Sequence, residues 1–294
     1  MSWFVLALIA PLVWAVVNLI DDHLLRSVYR SATIGAVLSG VIGFLPALYI
    51  YIFHQPQVAE PKLILSAVAA GMLTVLFYYF YFRTLQTDDP SVAIALNNLA
   101  PAIVPFLAFF LLSERLQPLQ YAGIGIIVIA SSLIGALDIK KLKFAKSVWY
   151  ALCGAICYAM VSILAKYAYE GASFGDIYFW IAVGFGVGGI IAFILLKEKN
   201  QLRQLISSKD KKLVTLLLGV ELLNMAGELI QGAAINGGPV SIVRGLEGIQ
   251  PLYVLTIGIV LARFLPNHFR ERRDERFNKK IICMGFMIVG LFML

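Results

Sequence analysis

Three glutamates lie deep in apolar sequence: Glu221, Glu228 and Glu247. Glu221, Asn224, Glu228 and Gln231 follow one another at spacings of three, four and three, which puts all four on one stripe of a helix. The next apolar segment carries Arg244, Glu247 and Gln250 just ahead of Pro251. Carboxyl, amide and guanidinium groups gathered this way can hold a polar solute, and an acid shielded from water can exchange a proton as the solute passes. A charge in hydrocarbon costs at least ~2.5 to 3.5 kcal/mol at a helix centre, so the stripe is expected to face a cavity, not lipid. A plainer reading stays open, in which these groups only bond helices together and Arg244 pairs with Glu247 at i, i+3. Arg244 with Glu247 suits that reading best, Glu221, nearest a helix end, suits it less, and Glu228, at mid-helix, least. If Glu247 neutralises Arg244, Glu221 and Glu228 favour a cationic or zwitterionic solute. If Arg244 is free, it can hold a carboxylate or phosphate.

Other chemistries lack their materials. His23, His54 and His268 all fall in loops and every Asp sits at or beyond the end of an apolar run, so no buried dyad or metal set for an enzyme emerges. Cys153, Cys157 and Cys283 have neither disulfide nor metal spacing and read as small packing residues. No cofactor is expected.

The elements that must carry the stripe are membrane spans. The 294 residues are 60% hydrophobic and 14% charged, with mean hydropathy +0.85. A soluble chain runs at about half apolar and about a quarter charged, so lipid must be part of this protein's solvent. The same composition excludes disorder and a nucleic-acid module. A spanning helix needs about 20 mostly apolar residues. Ten stretches qualify: Ser2–Ile20, Thr33–Phe53, Leu63–Leu85, Pro90–Leu112, Pro118–Leu137, Val148–Lys166, Phe174–Leu196, Leu213–Ile235, Val240–Phe264 and Ile281–Leu294, the last short and able to begin within the basic residues before it. The first lacks a basic n-region and a small-residue cleavage site, and reads as a retained helix. Pro11, Pro46, Pro101, Pro105 and Pro251 lie inside spans, where a missing N–H is expected to kink or unwind the helix beside a cavity.

The net charge of +7 resides in connections. Those with odd numbers hold 20 Lys and Arg, from Arg26 to Lys280; those with even numbers hold only Lys62, Arg115 and Lys166. This bias puts the odd loops in the cytoplasm and both termini outside, in a multi-pass protein of the cell membrane.

The chain also repeats itself. An offset of 150 lays Pro251 over Pro101, Ser241 over Ser91, Leu246 over Leu96, Glu247 over Asn97 and Gln250 over Ala100; carried back without a gap, it sets Asn224, Glu228 and Gln231 over Thr74, Tyr78 and Tyr81. Offset 144 matches Trp14 to Tyr158, Asn18 to Ser162 and Asp22 to Lys166, and offset 160 matches Gly123 to Cys283. The expected fold is an all-α polytopic membrane protein of ten transmembrane helices in two five-helix repeats, 1–138 and 148–294, joined by a linker at 139–147. Five is odd, so the second repeat enters the membrane inverted, the arrangement that alternating-access transporters use most.

The stretch Ala95-Leu96-Asn97-Asn98-Leu99-Ala100-Pro101, the run Leu111-Leu112-Ser113-Glu114-Arg115-Leu116, and Gln120-Tyr121-Ala122-Gly123 opening the next helix resemble the drug/metabolite transporter superfamily, EamA type. The resemblance covers nearly the whole chain. It implies a secondary transporter, an exporter of a small metabolite or amphipathic compound, with proton coupling common among members; a lipid-carrier flippase of the same fold and a passive facilitator or channel are the alternatives. Two features depart from the family. Phe264 stands where the second repeat's loop Glu would fall, ahead of a basic insertion from Pro266 to Lys280, and the loop charges reverse the usual cytoplasmic placement of the termini.

The candidate site therefore comprises Glu221, Asn224, Glu228, Gln231, Arg244, Glu247 and Gln250, with Asn97 and Asn98 of the proline-bearing fourth span. Tyr78 and Tyr81, in the aromatic run Phe77–Phe82, either wall the cavity and stack on a flat or cationic ligand or belong to packing and an interfacial belt. Trp14, Asn18 and Tyr158 lie on the first span of each repeat, where the resemblance puts cavity walls. Asp22 and Lys166, equivalent and opposite in charge, can pair as a gate or simply snorkel at span ends. The insertion, with Phe269 and Phe277 among basic residues, can lie on anionic headgroups or in water. Gly184, Gly186, Gly188 and Gly189 read as close-packing positions, since no strand–turn–helix context for a nucleotide loop exists. The expected partners are a small-molecule substrate, protons and membrane lipid, with no nucleic acid, in a monomer or homodimer.

Overall fold

The computed structural model describes residues 2–24, 28, 31–87, 99–138, 147–207, 210–264 and 275–294. Among the described residues all regular structure is helical: α1 (Trp3–Leu24), α2 (Ala32–Ile42), α3 (Phe44–His54), α4 (Pro61–Thr87), α5 (Ala100–Leu111), α6 (Pro118–Asp138), α7 (Ser147–Tyr169), α8 (Phe174–Leu195), α9 (Lys199–Ile206), α10 (Lys211–Gly237), α11 (Val240–Glu247), α12 (Gln250–Phe264) and α13 (Glu275–Phe292). Where they are described, the ten apolar stretches are helical apart from a few end residues and short breaks at Gly43 and at Gly248 and Ile249. Among the described residues, five helical segments are long and apolar enough to cross a membrane, 32–54, 61–86, 148–169, 174–195 and 213–237. The protein is an all-α polytopic membrane protein.

The last span begins at Glu275, inside the basic stretch, and not at Ile281. His54 closes α3, and so is not a loop residue. The prolines divide into two groups. Pro11 and Pro105 lie within α1 and α5, as expected. Pro46, Pro101 and Pro251 instead sit in the first turn of their helices. A proline has no N–H for the carbonyl four residues back, and before Pro46 and Pro251 one helix ends and another starts within the preceding four residues. The breaks fall at Gly43, between α2 and α3, and at Gly248, between α11 and α12.

Cross-helix contacts sort the connections by side. At one end, Glu114 meets the backbone of Val240 and Ser241, Gln57 N–H donates to Asp176, Gln120 donates to the Leu294 carbonyl, and Trp3 packs on Gly238. That end therefore gathers the described parts of both chain ends with the even-numbered connections, and Lys197 and Lys199, past the far end of α8, lie at the other.

Small residues let the helices approach closely. Ala7, Ala67, Ala70, Ala159 and Ala234 are fully buried in one apolar cluster, and Ala10, Val17, Ala36 and Val37 belong to a second that holds Tyr78 and Tyr81. Between lipid-solvated helices, fit of small side chains replaces the hydrophobic drive. The glycines of α8 serve this purpose. A Cβ on Gly184 would lie 2.2 Å from the Val68 carbonyl oxygen, one on Gly71 2.1 Å from that of Ile181, and one on Gly189 2.5 Å from the Gly40 backbone. Gly71→Ala is accordingly expected to lower stability by roughly 1–3 kcal/mol, the cost of overpacking, read as a lower melting temperature in detergent. Gly125, with nothing within 4 Å of its Cβ position, accepts alanine without loss. The outward surface is apolar, with Leu48, Tyr51, Phe53, Leu65, Phe110, Ile194 and Phe292 more than half exposed, as a lipid-facing surface requires.

Candidate functional site

Helix α10 turns its polar stripe inward. Glu221, Asn224 and Gln231 are buried and Glu228 is partly buried, while Leu222, Leu223 and Leu229 between them are exposed. The 3.6-residue period sets these two faces. The stripe meets α4 and α2. Ser39 Oγ donates to Glu221 at 2.9 Å. Tyr78 OH lies 3.3 Å from Asn224 Oδ1 and 3.2 Å from Glu228 Oε1, and with one proton to give it serves one acceptor at a time. Of the aromatic run, Tyr78 and Tyr81 thus turn inward, the latter donating to Asn18 at 3.1 Å. Phe77 stacks on Tyr158, ring centroids 4.4 Å apart.

The second focus is Glu247 in the last turn of α11. Three donors converge on its Oε1: Arg244 from the preceding turn, Gln231 from α10 and the Tyr158 hydroxyl from α7, the last at 3.4 Å. The Arg244 guanidinium lies 4.0 Å from the Tyr158 ring centroid, a cation–π contact in a site shut off from water. Of the two states open to Arg244, the ion pair with Glu247 is the one formed. Arg244 is 2% and Gln231 1% exposed, yet among the described residues Arg244 Nε and Gln231 Oε1 have no partner. One unused donor and one unused acceptor thus stand in a buried cluster, where each costs about 1–3 kcal/mol unless a ligand or water meets it.

Trp14 lies against the same wall, since a Cβ on Gly227 would touch its indole nitrogen at 2.7 Å. Gln250, in the first turn of α12, is half-buried and joins none of these bonds. Asn97 and Asn98 lie outside the described residues, as do the Asp22 side chain, Phe269 and the Phe277 side chain.

The paired gate of Asp22 and Lys166 requires correction. Lys166 Nζ donates to the carbonyls of Ile235 and Gly238, at 3.2 and 3.1 Å, and lies 3.5 Å from Glu170. It thereby caps the carbonyl end of α10. That end of α10 packs on Trp3, at the start of α1, whereas Asp22 is in the last turn of the same 22-residue helix. At 1.5 Å per residue the two ends stand about 30 Å apart, so the pair cannot meet.

One positioning residue emerges only in three dimensions. Glu114, between α5 and α6, accepts from Val240 N–H at 2.8 Å and Ser241 N–H at 3.0 Å. It holds the N-terminus of α11, the helix that carries Arg244 and Glu247, with Ser113 in the left-handed region beside it at φ 56°. The Ser113-Glu114 motif marked the loop in the sequence, but nothing there said what the carboxylate grips. Removing it with Glu114→Ala is expected to cost about 1–2 kcal/mol, and Glu114→Gln less, since its amide oxygen still accepts; thermal melts of the two variants check the order.

Comparison with known proteins agrees with this architecture. Residues 1–136 match the EamA-like transporter family. An uncharacterized transporter of Bacillus subtilis (strain 168), YxxF, is 26% identical over 135 residues, 45% of this chain, and the match spans 42% of that relative's length. A solved crystal structure superposes with a TM-score of 0.71 over 99% of this chain and 97% of its own at 14% identity, a likeness of fold alone. The match over residues 1–136 and the transporter relative bear out the resemblance to the drug/metabolite transporter superfamily.

Proposed function

We propose that the protein is a secondary active transporter of the cell membrane, an exporter of a small polar or amphipathic compound working by alternating access with proton coupling. The observation that carries this reading is the buried cluster in which acids, an arginine and amides from α10 and α11 meet tyrosines of α4 and α7. A purely structural network would satisfy its own members, and among the described residues this one leaves Arg244 Nε and Gln231 Oε1 over. A substrate offering one acceptor and one donor fits them. With Arg244 neutralised by Glu247, Glu221 and Glu228 remain to balance a positive group, so a zwitterion or an amine bearing an acceptor suits the site best. The members are carboxyls, amides, a guanidinium and hydroxyls, groups suited to binding and proton exchange.

Two inverted five-helix repeats, ten spans in all, supply the motion. Under the offsets of the sequence, α1 exchanges with α7 and α4 with α10. Several packing pairs follow the same exchange: α1 on α10 answers α4 on α7, α1 on α11 and α12 answers α5 on α7, and α6 on α13 is its own counterpart. Such a plan has two related states with opposite access. The positive-inside rule orients the basic end toward the cytoplasm and both termini outward.

The test is reconstitution in liposomes with an imposed pH gradient, screening amino acids, amines and nucleosides. Accumulation driven by the gradient supports the reading. Flux that runs only downhill and ignores the gradient makes the protein a facilitator and overturns it.

A further inference from the structure

We propose that a groove among α2, α4 and α8, at the basic end of the bundle and apart from the polar cluster, is a binding site for an anionic phospholipid. The groove has a volume of about 510 Å³. Its walls are apolar: Ala36, Met72, Val75, Leu76, Ile191 and Ala192. Met72, Leu76 and Ile191 are 37–41% exposed, so the groove opens sideways toward acyl chains. Polar groups gather at one end only, where Arg83 in the last turns of α4 and Lys197 just past α8 face the groove with Tyr79 and Glu198.

The head of an amphiphile is thereby matched in sign and position. Arg83 is not a loosely held side chain: its Nε donates to the Tyr79 hydroxyl at 3.1 Å and its guanidinium lies 5.4 Å from the Tyr79 ring centroid. An arginine fixed this way is less costly to order around a phosphate than a mobile one. Lys199 follows on α9, over the Phe193 ring at 5.5 Å. Among the described residues that line it, two cations and one carboxylate leave the mouth net positive, so an anionic head fits and a zwitterionic one gains little. Deeper in, Gly188 lets α8 approach α4, because a Cβ there would lie 2.9 Å from Val75 Cγ2 and 3.2 Å from Met72 Cα. The floor is therefore closed by helix contact, and an acyl chain lies along it without reaching the central cluster. The basic end is also where the loop charges put the cytoplasmic leaflet, the anionic one.

The experiment is native mass spectrometry of the full chain released from nanodiscs that contain equal phosphatidylglycerol and phosphatidylcholine with matched chains. The expected result is retention of phosphatidylglycerol at about a fivefold excess. That excess falls to parity in the double variant Arg83→Gln/Lys197→Gln and persists in Lys211→Gln, a basic residue outside the groove. Ile191→Trp, which fills the groove and leaves every charge in place, is expected to lower retention as well, and it decides the matter if the double variant does not fold. Equal retention of the two lipids by the native protein overturns the proposal. So does an excess that survives both the double variant and Ile191→Trp, since the lipid would then be held by a diffuse basic collar.

Discussion

Glu228→Gln is expected to reduce gradient-driven transport by at least about tenfold while leaving the protein folded. The substitution keeps size and shape, and its amide oxygen still accepts from Tyr78, the bond that ties α10 to α4. What it removes is the capacity to carry charge and to exchange a proton. A hydrogen bond to a charged group contributes about 1.5–3 kcal/mol, and a loss of that size is roughly ten- to a hundredfold in rate or affinity. Proteoliposome uptake driven by a pH gradient, compared with downhill exchange in the same vesicles, reads the effect. If Glu228 serves coupling, the driven rate collapses and exchange survives. Normal driven uptake by Glu228→Gln would remove it from the mechanism and leave the stripe as an interhelical tie.

The second large effect concerns Arg244 and Glu247. Both are buried, and each satisfies the other's charge. Removing one partner strands the other in a site without water, at about 3–5 kcal/mol. Arg244→Ala and Glu247→Ala are each expected to lower the melting temperature sharply, the Glu247 variant more, because it also strands Gln231 Nε2 and the Tyr158 hydroxyl. Replacing both at once, as in Arg244→Met/Glu247→Leu, should cost less than the sum, since no lone charge is left. Additive losses in such a cycle would mean that the two side chains do not share their energetics.

Which parts of this arrangement a linear reading reaches follows from the range of the forces involved. The stripe of α10 is legible because four polar residues at helical spacing among leucines admit one solution: the polar face turns in and Leu222, Leu223 and Leu229 turn out. The pairing of Arg244 with Glu247 is legible for the same reason, as both lie on one helix three residues apart. Contacts between helices are another matter. Nothing local says that Tyr158 and Gln231 would share one oxygen of Glu247, or that Glu114 would hold the start of α11 from 126 residues away.

The proline breaks were half legible. The residue type announces a discontinuity, but its place, one turn earlier at Gly43 and Gly248, depends on which carbonyl loses its donor. The pairing of Asp22 with Lys166 failed for an instructive reason. The offset that matches the two residues sets them near the ends of α1 and α7, and those ends lie far apart, whereas Tyr78 and Glu228, matched by an offset of 150 and placed along the middle of their helices, meet.

The central claim, that one buried polar cluster is reached from each side in turn, is tested most directly by cysteine accessibility. Asn224→Cys would be introduced after Cys153, Cys157 and Cys283 are replaced by serine, and labelled with a membrane-impermeant thiol reagent added to one face or the other of oriented proteoliposomes. The expected result is labelling from either face, with an imposed pH gradient raising the rate on one face and lowering it on the other. Labelling from neither face, or from the same single face whatever the gradient, would contradict the account.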